Sequence, residues 1–187
     1  MDRRSRVFIL ASAIVLGATT ALAVHAEEFE QHGAHEHGKI TINAALDRQE
    51  LSIELDAPAD NVVGFEHAPR TDAETAAVRD AEKLLKNAQG LFGFPPAAQC
   101  HFAGSQVTAP RWEAETSEAH GESGHEHHAD YEARFTYRCE APLQLAWFEP
   151  WLLGKLREVR EARVNLITAS GQRSQVVTNA RDRIALR

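Results

Sequence analysis

The spacing of apolar positions changes several times along this chain, and each change marks an element. Residues 7–24 are apolar almost without interruption. Residues 27–38 (EEFEQHGAHEHG) are polar and show no period, which predicts a flexible arm. Ile40, Ile42, Ala44 and Leu46 then alternate with polar residues, Asp47-Arg48-Gln49-Glu50 forms a turn, and Leu51, Ile53 and Leu55 alternate again. A period of two on both sides of a turn predicts a β-hairpin with one buried face, ended by Ala57-Pro58. Thr71-Asp72 with Glu74 close behind provides a helix cap. Ala76, Ala77, Ala81, Leu84 and Leu85 follow at helical spacing, and Gly90 supplies a stop. Leu91–Pro96 is an apolar loop that must pack somewhere, and a strand is expected from about Ala98 to Thr108.

Residues 113–130 (EAETSEAHGESGHEHHAD) break this pattern. They contain no large apolar residue, and no core can be built from them, so a disordered, solvated His-rich loop is expected. Alternation resumes at Tyr131, Ala133, Phe135 and Tyr137. The apolar, Trp-rich run Leu143–Leu156 predicts helix, interrupted near Pro150. Arg163–Ser170 and Gln175–Thr178 predict a hairpin turning at Ser170-Gly171, and Ile184-Ala185-Leu186 a further short strand. The fold class expected is α+β: antiparallel hairpins or a sheet packed with helices, in one domain over 39–187. Leu55-Asp56-Ala57-Pro58 with Phe65-Glu66 echoes Cys139-Glu140-Ala141-Pro142 with Phe148-Glu149. Two similar halves, about 39–112 and 131–187, would produce this echo, and so would chance.

The first 26 residues bear on compartment. Arg3, Arg4 and Arg6 precede the apolar run, and Ala21-Leu22-Ala23 and Val24-His25-Ala26 close it with small residues. This is the three-part pattern of a secretory signal peptide, with cleavage expected after Ala26. A retained anchor is the competing reading, since about 18 apolar residues is near the minimum that spans a bilayer. After cleavage no stable membrane insertion is expected. The net charge of -7 becomes more negative without this segment, which carries three Arg and one Asp. That sign excludes a nucleic-acid binder of the usual basic kind and suits a protein that attracts cations. Cys100 and Cys139 are the only cysteines, and an even pair in an exported chain reads as a disulfide. Such a bridge stabilises by roughly 4 kcal/mol in the loop-entropy model. Zinc ligation by the two thiolates is the alternative, but neither stands in a Cys-x-x-Cys pair.

Ten histidines are present, and their placement says more than their number. His32, His35 and His37 lie in HGAHEHG, and His120, His125, His127 and His128 lie in HGESGHEHH. Imidazole suits zinc, copper and nickel, and His-x-His on an extended backbone places both rings on one side. Glu126 and Asp130 add possible oxygen ligands. Solvated filler is the bland reading; two clusters in an exported chain favour metal. Ligation needs neutral imidazoles, so binding should weaken below about pH 6. His67, in FEHAP, reads equally as a fixed ligand or as a satisfied core histidine, and His101 beside Cys100 as structural.

HGAHEHG at 32–38, NVVGFEHAPRTDAE at 61–74, the His-rich insertion and YEARFTYRCEAP at 131–142 together resemble the periplasmic zinc-uptake proteins of the ZrgA type. GFEHAPRT is the most specific of these pieces, and the segment at 147–151 matches less well. The resemblance implies an α+β fold, Zn(II) binding in the periplasm, assistance to an ABC-type zinc importer, and no catalysis. The ligands it carries over are His32, His35, His37 and His67 with the loop histidines.

Three other functions are weighed against this one. A copper, nickel or cobalt buffer would use the same ligands, although Met1 is the only methionine, which argues against a thioether copper site. A metallohydrolase is disfavoured: HEHHAD resembles the His-x-His-x-Asp-His signature of the metallo-β-lactamase fold, but Asp130 falls three residues after His127 and no His follows. A non-metal interaction domain with incidental histidines is the third. Within the zinc reading, the arm with His67 is expected to form the fixed site and residues 120–128 an antenna.

Overall fold

The computed structural model describes residues 37–112 and 129–187. The expected signal peptide at 1–26, most of the arm, and the His-rich loop from 113 to 128 lie outside these residues.

The alternating segments form strands. β1 (Lys39–Asp47) and β2 (Glu50–Pro58) are joined by the two-residue turn Arg48-Gln49, with Arg48 at φ 52°. β3 (Cys100–Thr108), β4 (Asp130–Cys139), β6 (Glu161–Thr168) and β7 (Gly171–Val177) complete a six-stranded sheet in the order β3-β4-β2-β1-β6-β7. The period-two residues Ile40, Ile42, Leu51, Ile53, Leu55, Tyr131, Phe135, Val164 and Leu166 all point to one face and are buried. The opposite face is polar and carries cross-strand pairs such as Glu54–Arg134 and Asn43–Asn165.

Two expectations about the sheet and its cover are corrected. The sheet is mixed, because β6 runs parallel to β1 in the register Ile40↔Ala162 to Ala45↔Ile167. A crossover this long leaves strand direction free, so hairpin patterns could not reveal it. Residues 143–156 do not form a helix. They form a 3-10 turn (Pro142–Gln144), the two-residue strand β5 (Trp147–Phe148) and a second 3-10 turn (Trp151–Gly154). Pro150 cannot supply the helical N–H, and Glu149 instead exchanges backbone bonds of 2.9 Å with Gly93. β5 pairs with β8 (Ile184–Ala185).

The segments of the internal echo end neighbouring strands, β2 and β4, and then diverge. Pro58 leads into a helix, α1 (Ala59–Val63), and Pro142 into a 3-10 turn.

α2 (Asp72–Lys86) begins at a capping box: Thr71 Oγ1 accepts from the Glu74 N–H at 3.1 Å, and Glu74 Oε2 accepts from the Thr71 N–H at 3.1 Å. It stops at Lys86, before Gly90, because Ala88 turns into the core and its carbonyl accepts from the Tyr137 hydroxyl at 2.7 Å. The apolar loop after α2 packs inward. Phe92 lies against Phe135, Tyr137 and Phe148 at centroid distances of 5.6, 5.9 and 6.1 Å. Cys100 and Cys139 face each other in the β3–β4 register and form a disulfide. Among the described residues no helix is long and apolar enough to cross a membrane.

Candidate metal corner at the start of the sheet

The corner is built around α1 and the loop that follows it. Ala59 donates its N–H to the Ala129 carbonyl at 2.7 Å, tying α1 to the start of β4. The buried Asn61 accepts the Arg157 N–H on its own carbonyl at 2.7 Å, tying α1 to the segment that enters β6. Gly64 closes the helix at φ 91°. With its neighbours fixed on both sides, Asp60 in the first turn is held rigidly near the surface.

His37 rests on that carboxylate. Its Nδ1 lies 2.9 Å from Asp60 Oδ2, and 65 % of its side chain remains exposed. Its carbonyl accepts from Arg160 Nη2 at 2.9 Å, and Arg160 and Glu161 donate their N–H groups to the Gly38 carbonyl. Gly38 sits at φ 85°, and a Cβ there would be strained and would have to push aside Arg160, whose Nε lies 2.5 Å from its place. The Asp60 hydrogen bond, followed by the negative charge of Glu66, raises the His37 pKa above its ordinary 6.5.

His67 is half-buried. Its ring stacks on Phe65 at 5.1 Å, and its Nδ1 lies 2.9 Å from the Ala68 carbonyl. A carbonyl can only accept, so Nδ1 carries the proton and the lone pair sits on Nε2. The same holds for neutral His37, since the Asp60 carboxylate also accepts. Both rings are therefore held in the tautomer that ligates a metal through Nε2 while a carboxylate or carbonyl fixes the other nitrogen.

Both ends of the His-rich insertion are rooted here as well. Trp112, the last described residue before it, packs on Phe65 at 5.8 Å. Ala129, the first after it, is bonded to Ala59, next to Asp60. The base of the arm and both ends of the insertion thus meet the stretch 59–67. α1 itself spans only about 7 Å at 1.5 Å per residue.

Of the predicted ligands, His37 and His67 are brought to this one stretch. His32, His35, His120, His125, His127 and His128 lie outside the described residues. Among the described residues no three His, Cys, Asp or Glu side chains form a group that could hold a metal ion. The cysteines are joined to each other. His101 is exposed on β3 opposite Arg138. Sequence reasoning missed Asp60 and Glu66. Their only signal was an acid on each side of the apolar Val62-Val63-Gly64-Phe65.

A second cluster, also missed, lies at the β5–β8 side. The buried Glu149 accepts from Trp151 Nε1 at 2.8 Å and pairs with Arg183 at 3.2 Å and Arg181 at 3.5 Å. These donors hold its carboxyl below the ordinary carboxylate range, the Trp151 bond contributing most. Arg181 and Arg183 in turn stack over Trp151 and Trp147 at 4.6 and 4.3 Å.

No curated protein matches the chain significantly. The family model described as ZrgA family zinc uptake protein matches residues 34–186, a span that takes in the sheet, the corner around α1 and the Glu149 cluster, and the chain belongs to that family.

Proposed function

We propose that this chain is a periplasmic, non-catalytic protein that captures or buffers Zn(II) through its histidine clusters and assists uptake by an ABC-type importer. The family ties the chain to zinc uptake. The observation that carries the finer reading is the common rooting of both His-rich segments on residues 59–67, beside two histidines whose Nε2 atoms carry the lone pair. Four nitrogen or oxygen ligands close a tetrahedral zinc site, and the described corner offers fewer than that. The remainder would come from the arm (His32, His35) and from the insertion (His120, His125, His127, His128). Asp60 would act as the orienting carboxylate behind His37, raising its basicity as such partners do in zinc sites.

The test is competitive zinc titration of the chelator-stripped protein, with metal analysis after dialysis. Tightly retained zinc that is lost when His32, His35 and His37 become Ala supports a dedicated carrier. Weak uptake indifferent to those changes overturns it. Deleting residues 120–128 divides the roles: loss of the tightest binding would reject the assignment of those residues as an antenna.

A further inference from the structure

The two edges of the six-stranded sheet are unlike. The β3 edge is guarded three ways. A register shift between Phe102 and Gly104 bulges it, a disulfide staples its start to β4, and Ser105 Oγ donates to the Lys86 carbonyl of α2 at 2.8 Å. Bulges and covering helices are the usual means of keeping an edge from pairing with another chain.

β7 has none of these. Among the described residues its ladder partner is β6 alone, in unbroken register from Ala162↔Val177 to Thr168↔Gly171. It contains no proline, and Arg173 is its one charge. Of the three large apolar side chains exposed among the described residues, two lie on the outer face here: Ile167 on β6, 55 % exposed, and Val176 on β7, 56 % exposed.

The hairpin geometry fixes which backbone groups the edge offers. The turn Ala169-Ser170 makes Thr168 and Gly171 the hydrogen-bonded pair that closes a two-residue loop. Pairs alternate along an antiparallel ladder, so the N–H and C=O groups of Gln172, Ser174 and Val176 point away from β6. An antiparallel copy of the strand centred on Ser174 meets these groups in kind. Ser174 faces Ser174, Gln172 faces Val176, and each such pair exchanges both its bonds. In that register Arg173 faces Gln175, so no like charges oppose. Ile167 and the second copy's Val176 then flank the Gln172 stem on one face.

From this we infer that β7 is a self-association edge, through which two copies of the chain join their sheets about a two-fold axis. The guarded β3 edge decides the geometry: β7 cannot pair with β3 of the next molecule, so association closes as a dimer and does not propagate as a filament. This inference is independent of the zinc reading, and it concerns the part of the sheet farthest in strand order from β3, into which the His-rich insertion is connected.

Sedimentation velocity from about 1 to 500 µM, with chelator present to remove metal-bridged association, tests it. The wild-type protein is expected to shift from monomer to dimer with concentration. Ser174→Pro removes an N–H that β6 does not use, and proline is tolerated at such edge positions. Ser174→Lys instead sets two ammonium groups opposite each other at the axis. Each should weaken association by roughly tenfold or more, while far-ultraviolet circular dichroism and the melting temperature stay near wild type. If one variant fails to fold, the other decides. A wild-type chain that is monomeric across the range, or a dimer that a folded variant leaves intact, overturns the proposal.

Discussion

Asp60 and Glu149 are both carboxylates held beside aromatic and basic residues, and they differ in how completely they are satisfied. Glu149 is buried, accepts from Trp151 and Arg183, and sits with two guanidiniums that are themselves stacked on indole rings. Nothing in that cluster is left to bind a ligand except at the exposed edges of the arginines. Asp60 is partly exposed and faces one imidazole, whose second nitrogen carries the lone pair in the neutral ring. The first arrangement spends its charges on fixing β5 and β8. The second fixes a ring and leaves its lone pair available, which is the condition a metal corner requires.

Removing the closed carboxylate should therefore have the larger effect on stability and none on zinc. Glu149→Ala leaves Trp151 Nε1 without its acceptor in a half-buried position and releases both arginines. A loss of about 2 kcal/mol is expected, in the range of an abandoned buried donor, read as a melting temperature roughly 4–8 °C lower. Zinc affinity should stay at the wild-type value. The effect also has a pH signature. The folded-state pKa of Glu149 lies below the ordinary 4.5. Its contribution is thus present above 4.5 and disappears as pH falls through the lower folded value. The stability gap between wild type and variant should narrow in acid; a gap that widens there would show that the carboxylate is not the stabilising species.

How far the sequence anticipated these sites follows from how local their causes are. β1, β2, β4 and β6 alternate residue by residue with one buried face, and the Thr71–Glu74 box is a four-residue signal, so these elements could be read directly. The disulfide is legible as an even pair of cysteines behind a first segment that reads as a secretory leader. Residues 143–156 could not be read in this way. Leu145, Phe148 and Leu152 are buried, yet Leu143 is 78 % exposed, and the deciding contact is Glu149 with Gly93, more than fifty residues away in sequence. The parallel partnership of β1 with β6 is equally non-local. So is the bond from His37 to Asp60, which no spacing rule contains: an arm histidine meets an acid across the whole first hairpin. For His67 the sequence supports a ligand role and a core role equally. The structure gives it a half-buried ring with its Nδ1 engaged, a position compatible with ligation.

Asp60 provides the sharper test of the open corner. Asp60→Asn keeps the shape and a hydrogen-bonding group but removes the charge that favours Nδ1–H on His37. Zinc affinity is expected to fall by about tenfold, the lower end of the cost of losing an orienting carboxylate. The exposed pair contributes little to folding, so the melting temperature should stay near the wild-type value. This is the reverse of the Glu149 result. An Asp60→Asn protein with wild-type affinity would place the tight site elsewhere and leave Asp60 as a structural tether for the arm.

The smallest expected effect distinguishes the two roles of the His37–Asp60 contact. In metal-free protein, the His37 imidazole should titrate above 6.5, because the hydrogen bond to Asp60 and the charge of Glu66 both favour the protonated ring. A raised folded-state pKa means that the tether contributes fully below 6.5 and is lost as pH rises through the folded value. Zinc ligation runs in the opposite direction, since it needs the neutral ring and improves over that same rise. The contact is thus strongest as an ion pair where the metal is weakest, and the base of the arm exchanges one partner for the other across the same interval. Nuclear magnetic resonance titration of the ring protons should place His37 above 6.5 in wild type and bring it back toward 6.5 in Asp60→Asn. Added zinc should displace the wild-type transition to lower pH, as expected when a metal competes with the proton for Nε2. A transition that zinc leaves in place would exclude His37 from the ligand set and leave the arm's other histidines to form the site.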